Sequence, residues 1–346
     1  MCEQNHIWTL KDVRMKGRGG CDRLREVNIE IRSGVTVMVG CSGAGKSTLL
    51  NVLVGFEQPD AGEVVLHHDL LKGYRHLVYW CPQSGGLWAG VTAGEHVRMV
   101  SGIKKKDVRV KDVVRDWLGR FDLEGKEDVH VGQMSGGERA RLSLARGLAS
   151  GCGVLVLDEP LVSVNHADAQ RYWEEIHRWR KETGSSVVFS THFPEVVMRE
   201  ADEIVCMDEG EVLWSGAARD AYDDPVSEQV GRFVGELNWF SQDEGMQWLG
   251  AEAGRKLMET GMGVRPERIT VKREDTSGLV SRGSVRMGVM VETVIRDIAS
   301  GLEKRIIHTG DLVEPGARVR LKIKGVIDND VGIDVKKDAQ GSHEAR

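Results

Sequence analysis

Apolar residues along the chain occur in short runs that alternate between the spacing of strands and the spacing of helices. The run at residues 35–39 is rich in β-branched residues, as expected for a strand buried in a parallel sheet. Apolar positions between residues 49 and 53 then follow helical spacing. Further apolar runs at 153–157 and 185–190 flank a helix predicted over 166–182, whose apolar residues form one stripe. This alternation predicts an α/β fold with a parallel sheet.

The pattern changes near residue 236. Residues 241–245 are typical of a linker, and short strands with Gly and Pro turns follow. These strands are predicted at 268–272, 285–295, 305–309, 318–324 and 331–335. Many short strands of this kind predict a small all-β, OB-like barrel. We therefore expect a domain over 1–236, a linker over 237–262 and a β-domain over 263–346.

Composition narrows the classes of protein. The chain has 346 residues, which favours two domains, and its formal net charge of −6 argues against a basic groove for nucleic acid. No apolar run approaches about 18 residues, and residues 1–6 lack the features of a secretory signal. The six cysteines contain no C-x-x-C pair, as is typical of reduced thiols. We expect a cytosolic protein.

The loop between the strand at 35–39 and the following helix has the pattern G-x-x-x-x-G-K-[ST] of a phosphate-binding loop. Its glycines let the backbone approach phosphate oxygens, and the helix N-terminus favours an anion. We expect Lys46 to contact the β- and γ-phosphates and Ser47 to bind Mg²⁺. The predicted nucleotide-binding residues are Gly40, Cys41, Ser42, Gly43, Ala44, Gly45, Lys46, Ser47 and Thr48.

Polar residues that follow other predicted strands are candidates for catalysis. Asp158 and Glu159 end the strand at 153–157, and we expect Asp158 to hold Mg²⁺ through water and Glu159 to act as general base. His192 follows the next strand and is predicted to contact the γ-phosphate. Gln83 follows a strand at 77–80 and is placed near the metal and the attacking water. Taken alone, Gln83 would be interpreted as a solvated loop residue.

A second glycine-rich segment opens a helix 23 residues before residue 158. Ser135 can cap this helix, and the next two residues leave its N-terminus bare for a phosphate. Taken alone, the segment would predict only a helix cap. It consists of Ser135, Gly136, Gly137 and Glu138.

Together these motifs resemble the ATP-binding-cassette (ABC) family in order and spacing. The tail resembles the regulatory β-domain, called TOBE, of the importer ATPases for maltose, polyamines, iron, sulfate and molybdate. Residues 263–269, Gly-Val-Arg-Pro-Glu-Arg-Ile, are similar to the entry into that domain, and residues 231–235 to the helix before it.

The resemblance implies an ATPase that binds ATP and Mg²⁺ between two subunits arranged head to tail as a homodimer. Ser135 and Gly137 of one subunit would contact the γ-phosphate held by the Lys46 loop of the other. Integral membrane permease subunits would dock at the loop near 84–92, and an external protein would deliver the solute. The subunit would lie on the inner face of the cell membrane.

Three residues depart from the family pattern. One of them is Met134, which starts the signature segment in place of Leu and conserves its bulk. Members usually place an aromatic residue against adenine, whereas the corresponding stretch here holds Arg18, whose guanidinium plane could stack instead. The loop after Pro160 usually ends in Asp but here ends in Asn165, at a position that links the two ATP sites. Two alternatives therefore stay open: a regulatory ATP-binding module of low turnover, and an ABC ATPase outside transport.

Overall fold

The computed structural model describes residues 6–17, 19–102, 110–249 and 261–324. The chain divides into two compact units, Met1–Gly235 and Glu236–Arg346. Arg18 and the strand predicted at 331–335 lie outside the described residues. Within the described residues, no helix is both long enough and apolar enough to cross a membrane.

The first unit contains two sheets. Its strands are β1 (His6–Lys16), β2 (Asp22–Arg32), β3 (Val35–Gly40), β4 (Ala61–Leu66), β5 (His76–Cys81), β6 (Cys152–Asp158), β7 (Ser186–Ser190), β8 (Glu203–Asp208) and β9 (Glu211–Ala217). The larger sheet has the order β5-β6-β7-β3-β8-β9 and is parallel except for β9. The smaller, antiparallel sheet has the order β2-β1-β4.

Helices cover both faces of the larger sheet. They are α1 (Lys46–Leu53), α2 (Ala93–Val100), α3 (Val110–Gly119), α4 (Gly136–Ala149), α5 (His166–Thr183), α6 (Pro194–Glu200), α7 (Ala218–Asp223) and α8 (Glu228–Phe233). Helices α2, α3 and α4 pack on one another as a helical subdomain. Strands β3, β5, β6, β7 and β8 therefore follow the parallel, helix-covered arrangement that the sequence pattern predicts, whereas β4 joins the antiparallel sheet.

The core lies on the two faces of the larger sheet. Every residue of β3, β6 and β7 is buried, as in central parallel strands. Along β3 the side chains alternate between two apolar clusters: Val37 and Val39 pack with α4 and α5, whereas Met38 packs with α1 and the smaller sheet. Strand β3 is thus held from both faces, and its C-terminal end has a well-defined position.

The second unit is mainly β-structure. Its elements are β10 (Asn238–Phe240), α9 (Gln242–Leu249), β11 (Met262–Val264), β12 (Ile269–Arg273), β13 (Leu279–Met287), β14 (Met290–Asp297), β15 (Glu303–His308) and β16 (Arg318–Ile323). Strands β12–β16 form an antiparallel sheet in the order β12-β16-β13-β14-β15, and its two end strands contact each other. Strand β10 and helix α9 lie within the stretch predicted as a linker.

The single strand predicted at 285–295 is wrong. The chain turns at residues 288–289 and forms the hairpin of β13 and β14. Gly288 adopts φ +63°, which glycine tolerates well. Because apolar residues flank this turn on both sides, the apolar pattern continues through it and conceals the change of direction.

One buried side chain joins three strands of the second unit. Asn238 in β10 is 3% exposed and donates from Nδ2 to the carbonyl oxygens of Val264 (3.2 Å) and Ile307 (2.7 Å). Its Oδ1 accepts from the backbone N–H of Ile307 at 2.8 Å. The amide therefore satisfies the buried carbonyl group of Val264 in β11 and the partly buried backbone groups of Ile307 in β15.

We predict that Asn238→Leu lowers the free energy of unfolding of the second unit by about 3 kcal/mol, because buried backbone groups lose their partners. Urea unfolding followed by circular dichroism measures the change. Glu314→Ala is the matched control, since it removes only an exposed ion pair with Arg273 and should cost less than about 1 kcal/mol. Equal effects of the two variants would contradict the assigned role of Asn238.

Candidate functional site

The glycine-rich loop connects the end of β3 to the start of α1. A Cβ on Gly40 would lie 2.3 Å from the carbonyl oxygen of Met207, and φ there is +156°. A Cβ on Gly45 would lie 2.9 Å from the carbonyl oxygen of Arg23, with φ +100°. These positions require glycine. No side chain caps α1 at Gly45, so the first backbone N–H groups of the helix are available to an anion.

Lys46 places its charge inside this loop. The residue is 9% exposed, and its Nζ donates to the carbonyl oxygens of Gly40 (2.8 Å) and Cys41 (3.0 Å). Together with the free N–H groups of α1, the ammonium group makes the loop a site for a polyphosphate. Ser47 is exposed at the same place.

The carboxylates of Asp158 and Glu159 lie at the C-terminal end of β6, which pairs with β7. Asp158 ends β6 and is 7% exposed, and its Oδ1 accepts from the Ser190 hydroxyl at 2.6 Å. The Ser190 hydroxyl in turn accepts from the backbone N–H of Glu159 at 2.9 Å. Ser190, the last residue of β7, therefore fixes both acidic residues relative to β7.

Glu159 is paired with His192. Their Oε2 and Nδ1 atoms are 2.9 Å apart, and the Glu159 side chain is 14% exposed whereas that of His192 is 51% exposed. An ionised carboxylate can only accept, so the imidazole donates from Nδ1. The predicted phosphate ligand His192 thus contacts the predicted base directly and orients its carboxylate.

A single cleft of about 730 Å³ brings many of these groups together. It is lined by the loop at 40–48, by Gln83, Glu159 and His192, and by three residues without a predicted role, Asp22, Arg23 and Val162. Asp158 lies behind this lining, beside Glu159. The hydroxyl of Ser47, the amide oxygen of Gln83 and the carboxylate of Asp158 are oxygen donors of the kind that Mg²⁺ prefers.

The segment that begins with Ser135 does not line this cleft in the same protomer. Ser135 caps α4, and its hydroxyl accepts from the backbone N–H of Glu138 at 3.2 Å while the Glu138 carboxylate accepts from the Ser135 N–H at 2.8 Å. A Cβ on Gly137 would lie 3.2 Å from the carbonyl oxygen of Ser163, so the loop after β6 packs on this segment.

Comparison with known proteins agrees with this geometry. Residues 24–162 match the ABC_tran family model, described as ABC transporter. The ATP-binding cassette MJ0796, solved as a dimer in a post-hydrolysis state with ADP and Pi, is 25% identical, and the match covers 61% of this chain and 98% of that one with a TM-score of 0.54.

A second structure of MJ0796, as a dimeric bacterial ABC transporter cassette, is 26% identical over the same shares of the two chains. The matched stretch at residues 24–162 is part of an ABC ATP-binding domain, called the ABC domain below. The protein therefore binds ATP and is an ATPase. The cbiO1 protein from Clostridium perfringens, part of the transporter complex cbiONQ, shares the fold at 22% identity, 63% and 91% coverage and a TM-score of 0.53.

The loop after β6 in the ABC domain ends at a helix cap. The Asn165 Oδ1 accepts from the backbone N–H of Asp168 at 2.9 Å, and its Nδ2 donates to the Asp168 carboxylate at 2.6 Å. Asn165 is the N-cap of α5, a position that Asn and Asp fill equally well. The bond to the Asp168 N–H would suit an Asp equally well, but the bond from Nδ2 to the Asp168 carboxylate requires Asn, because an ionised carboxylate has no hydrogen to donate.

Sequence reasoning missed Ser190 and Arg23. Ser190 ends a buried apolar strand beside the strand of Asp158, and a hydroxyl at that point was a usable signal. Arg23 lies on the antiparallel strand β2, and its approach to the phosphate loop depends on packing between the two sheets of the ABC domain. Local sequence contains no sign of that contact.

Lys126 and the cap of α4 lower the pKa of Glu138 from 4.5 to about 2. Because the folded-state pKa is depressed, the charge stabilises the fold above pH 4.5, and this contribution is lost as the pH falls towards 2. We predict that Glu138→Gln costs about 1 kcal/mol at pH 7 and progressively less below pH 4.5. Urea unfolding from pH 7 to pH 3 measures the difference; a constant difference would contradict the assigned ion pair.

Cys41 is an exposed thiol within the phosphate loop of the ABC domain. We predict that a maleimide reagent modifies Cys41 and abolishes ATPase activity, and that MgATP protects both the thiol and the activity. Mass spectrometry of the Cys41 peptide measures labelling, and Cys41→Ser, which should keep its activity under the reagent, is the control. Equal labelling with and without MgATP would place the nucleotide elsewhere.

Proposed function

We propose that the chain is the nucleotide-binding subunit of an ABC importer, which hydrolyses ATP to energise solute uptake through partner membrane subunits. The observation that supports ATP hydrolysis in this proposal is the single cleft that combines the phosphate loop with Glu159 and His192. A phosphate loop alone would only bind nucleotide. A paired carboxylate in the same cleft provides the group needed to activate water.

Lys46 and the N–H groups of the loop bind the β- and γ-phosphates. Ser47, Gln83 and Asp158 are the residues that would hold Mg²⁺, which supplies charge neutralisation on the phosphate oxygens when it is bound. The Ser190 hydroxyl contacts both the Asp158 carboxylate and the Glu159 N–H, and it thereby fixes their positions relative to each other.

Glu159 takes a proton from the attacking water, whose oxygen forms the new bond to the γ-phosphorus. The bond between that phosphorus and the oxygen bridging to the β-phosphate breaks, and ADP and phosphate leave. His192 donates a hydrogen bond to Glu159 and orients its carboxylate towards the water.

The site is completed by a second copy of the chain. Ser135 to Glu138 lie outside the cleft of their own protomer and present the N-terminus of α4. In a head-to-tail homodimer, Ser135 and Gly137 of each copy contact the γ-phosphate in the other copy. The dimeric state of MJ0796 in its two structures supports this arrangement.

The second unit supports the importer assignment. We assign residues 1–236 to the ABC domain, 237–262 to the connection and 263–346 to a TOBE-like domain, on the similarity at residues 263–269 and the curled antiparallel sheet β12–β16. In this proposal the second unit modulates the ATPase pair.

The membrane partners dock at the loop after Gln83. Trp88 within this loop is 62% exposed, and its backbone carbonyl accepts a hydrogen bond from Nε2 of the buried His96 at 3.3 Å. A large exposed apolar side chain on a restrained loop is suited to a helix of a permease subunit. The assignment of cbiO1 to a transporter complex supports the proposal of membrane partners. In this proposal the chain lies at the inner face of the cell membrane, and an external solute-binding protein delivers the solute to the membrane subunits.

Asn165 favours an alternative function, in which the chain is a regulatory ATP-binding module with low ATP turnover. Asn165 stands where the family usually has Asp, and it has no negative charge to offer across a dimer interface. In that case the chain would bind and exchange ATP with little hydrolysis. The pairing of Glu159 with His192 favours the catalytic proposal instead.

We predict that Glu159→Gln lowers ATP turnover at least 100-fold, because the general base is lost, and traps a dimer with MgATP. Phosphate release and light scattering after size exclusion measure the two effects. Glu174→Gln, which changes an exposed carboxylate on α5, is the control and should behave as the parent protein. A parent that binds ATP but neither hydrolyses it nor pairs would favour the regulatory module.

A further inference from the structure

Arg23 is a cleft residue to which the hydrolysis mechanism assigns no role. It lies on β2, and its guanidinium group is held at three points. The Nε donates to the hydroxyl of Thr48 at 3.1 Å, and Nη1 and Nη2 donate to the two carboxylate oxygens of Glu57 at 2.6 and 3.2 Å. Bonds on both edges fix the orientation of the guanidinium plane.

Glu57 is itself fixed in place. The Asn51 side chain donates to its Oε1 at 2.8 Å, so Glu57 is tied to α1 as well as to Arg23. The hydrogen bond from Arg23 lowers the pKa of Glu57, which keeps the carboxylate ionised. The charge of Arg23 is thus neutralised by a partner within the protein, while 37% of its side chain remains exposed.

The strand order places Arg23 and the catalytic pair on opposite sides of the phosphate loop. Strand β3 lies between β7, which leads to His192, and β8, which leads to Gly210. A Cβ on Gly210 would lie 2.8 Å from the carbonyl oxygen of Arg23, so Arg23 lies on the β8 side. A triphosphate whose γ-phosphate reaches Glu159 therefore extends its α-phosphate and nucleoside towards Arg23.

We propose that the exposed face of the Arg23 guanidinium is the surface on which the nucleobase packs. This inference rests on the proposed nucleotide site. A planar guanidinium stacks on aromatic rings, and here the fixed plane avoids the entropy cost of ordering a long side chain on binding. Every base has a π-face on which the guanidinium can stack. Arg23 should therefore bind adenine and guanine nucleotides without distinguishing the hydrogen-bonding groups at the edges of their bases.

A phosphate contact is the competing role for Arg23. Two features oppose it. The bonds to Glu57 and Thr48 occupy three of the five N–H groups of the guanidinium, and a carboxylate beside the group repels a phosphate. Lys46 already places a cation inside the loop, on the atoms that surround the phosphates.

The test compares binding of ATP, GTP and inorganic tripolyphosphate, each with Mg²⁺, by isothermal titration calorimetry. The variants of the full chain are Arg23→Ala, Arg23→Lys and Glu57→Gln. Arg25→Ala is the matched control, because Arg25 is two positions further along β2 and does not itself line the cleft, although it pairs with the lining residue Asp22 as well as with Glu209 and Glu211. Circular dichroism and melting temperature verify that each variant is folded.

We expect Arg23→Ala to weaken ATP and GTP about tenfold each and to leave tripolyphosphate unchanged, because only the contact with the base is lost. Arg23→Lys keeps the positive charge but lacks the planar guanidinium group, so its nucleotide affinity should resemble that of Arg23→Ala. Glu57→Gln loosens the guanidinium and should weaken both nucleotides by a smaller factor. Arg25→Ala should bind all three ligands as the parent does.

Several results would overturn the inference. A parallel loss of tripolyphosphate binding, or full rescue by Arg23→Lys, would assign Arg23 to the phosphates. Unchanged nucleotide binding by Arg23→Ala, with a loss in Arg18→Ala, would assign the base to Arg18.

If Arg23→Ala does not fold, unchanged nucleotide affinity in both Arg23→Lys and Glu57→Gln overturns the inference. A parent that binds tripolyphosphate but not ATP or GTP overturns the base contact alone, whereas a parent that binds none of the three overturns the nucleotide site as well.

Discussion

The candidate site depends on the common alignment of three buried parallel strands, β3, β6 and β7. Each strand ends in a different functional group: the phosphate loop after β3, the two carboxylates after β6 and the Ser190–His192 segment after β7. Parallel strands that are paired along their length must end at the same edge of the sheet. The apolar residues on both faces keep these strands in register, so burial far from the cleft determines distances inside it.

The residues that follow β6, including Glu159, have a strained backbone. Glu159 has φ +49° and Leu161 has φ +63°, a region that costs a residue other than glycine about 1 to 3 kcal/mol. The bond from the Glu159 N–H to Ser190 and the pairing of its side chain with His192 oppose relaxation of Glu159. A strained residue whose backbone and side chain are both restrained presents its carboxylate in one orientation, which suits a group that must meet a water molecule.

The two sides of the phosphate loop have different electrostatic characters. On one side, Glu159 and His192 are joined by a hydrogen bond and line the cleft. On the other side, the charge of Arg23 is compensated by Glu57, and the group offers a flat, neutralised surface. Lys46 lies between them and contacts the loop carbonyls. In the proposed site, a bound nucleotide would contact Lys46 through its phosphates, Glu159 at its γ-phosphate end and Arg23 at its base.

The sequence by itself determined the local chemistry of the ABC domain: the phosphate loop with its strand and helix, the carboxylates after a buried strand, and the capped helix that begins after Ser135. These features are local because period, β-branching and capping act over a few neighbouring residues. The turn at Gly288 escaped this reasoning because apolar residues surround it. Only the tertiary structure decided which strand ends meet, that Ser190 joins Asp158 to Glu159, that Arg23 reaches the loop from another sheet, and that Ser135 lies outside its own cleft. Those relations join residues far apart in the chain, and they depend on the packing of whole layers, which no local pattern encodes.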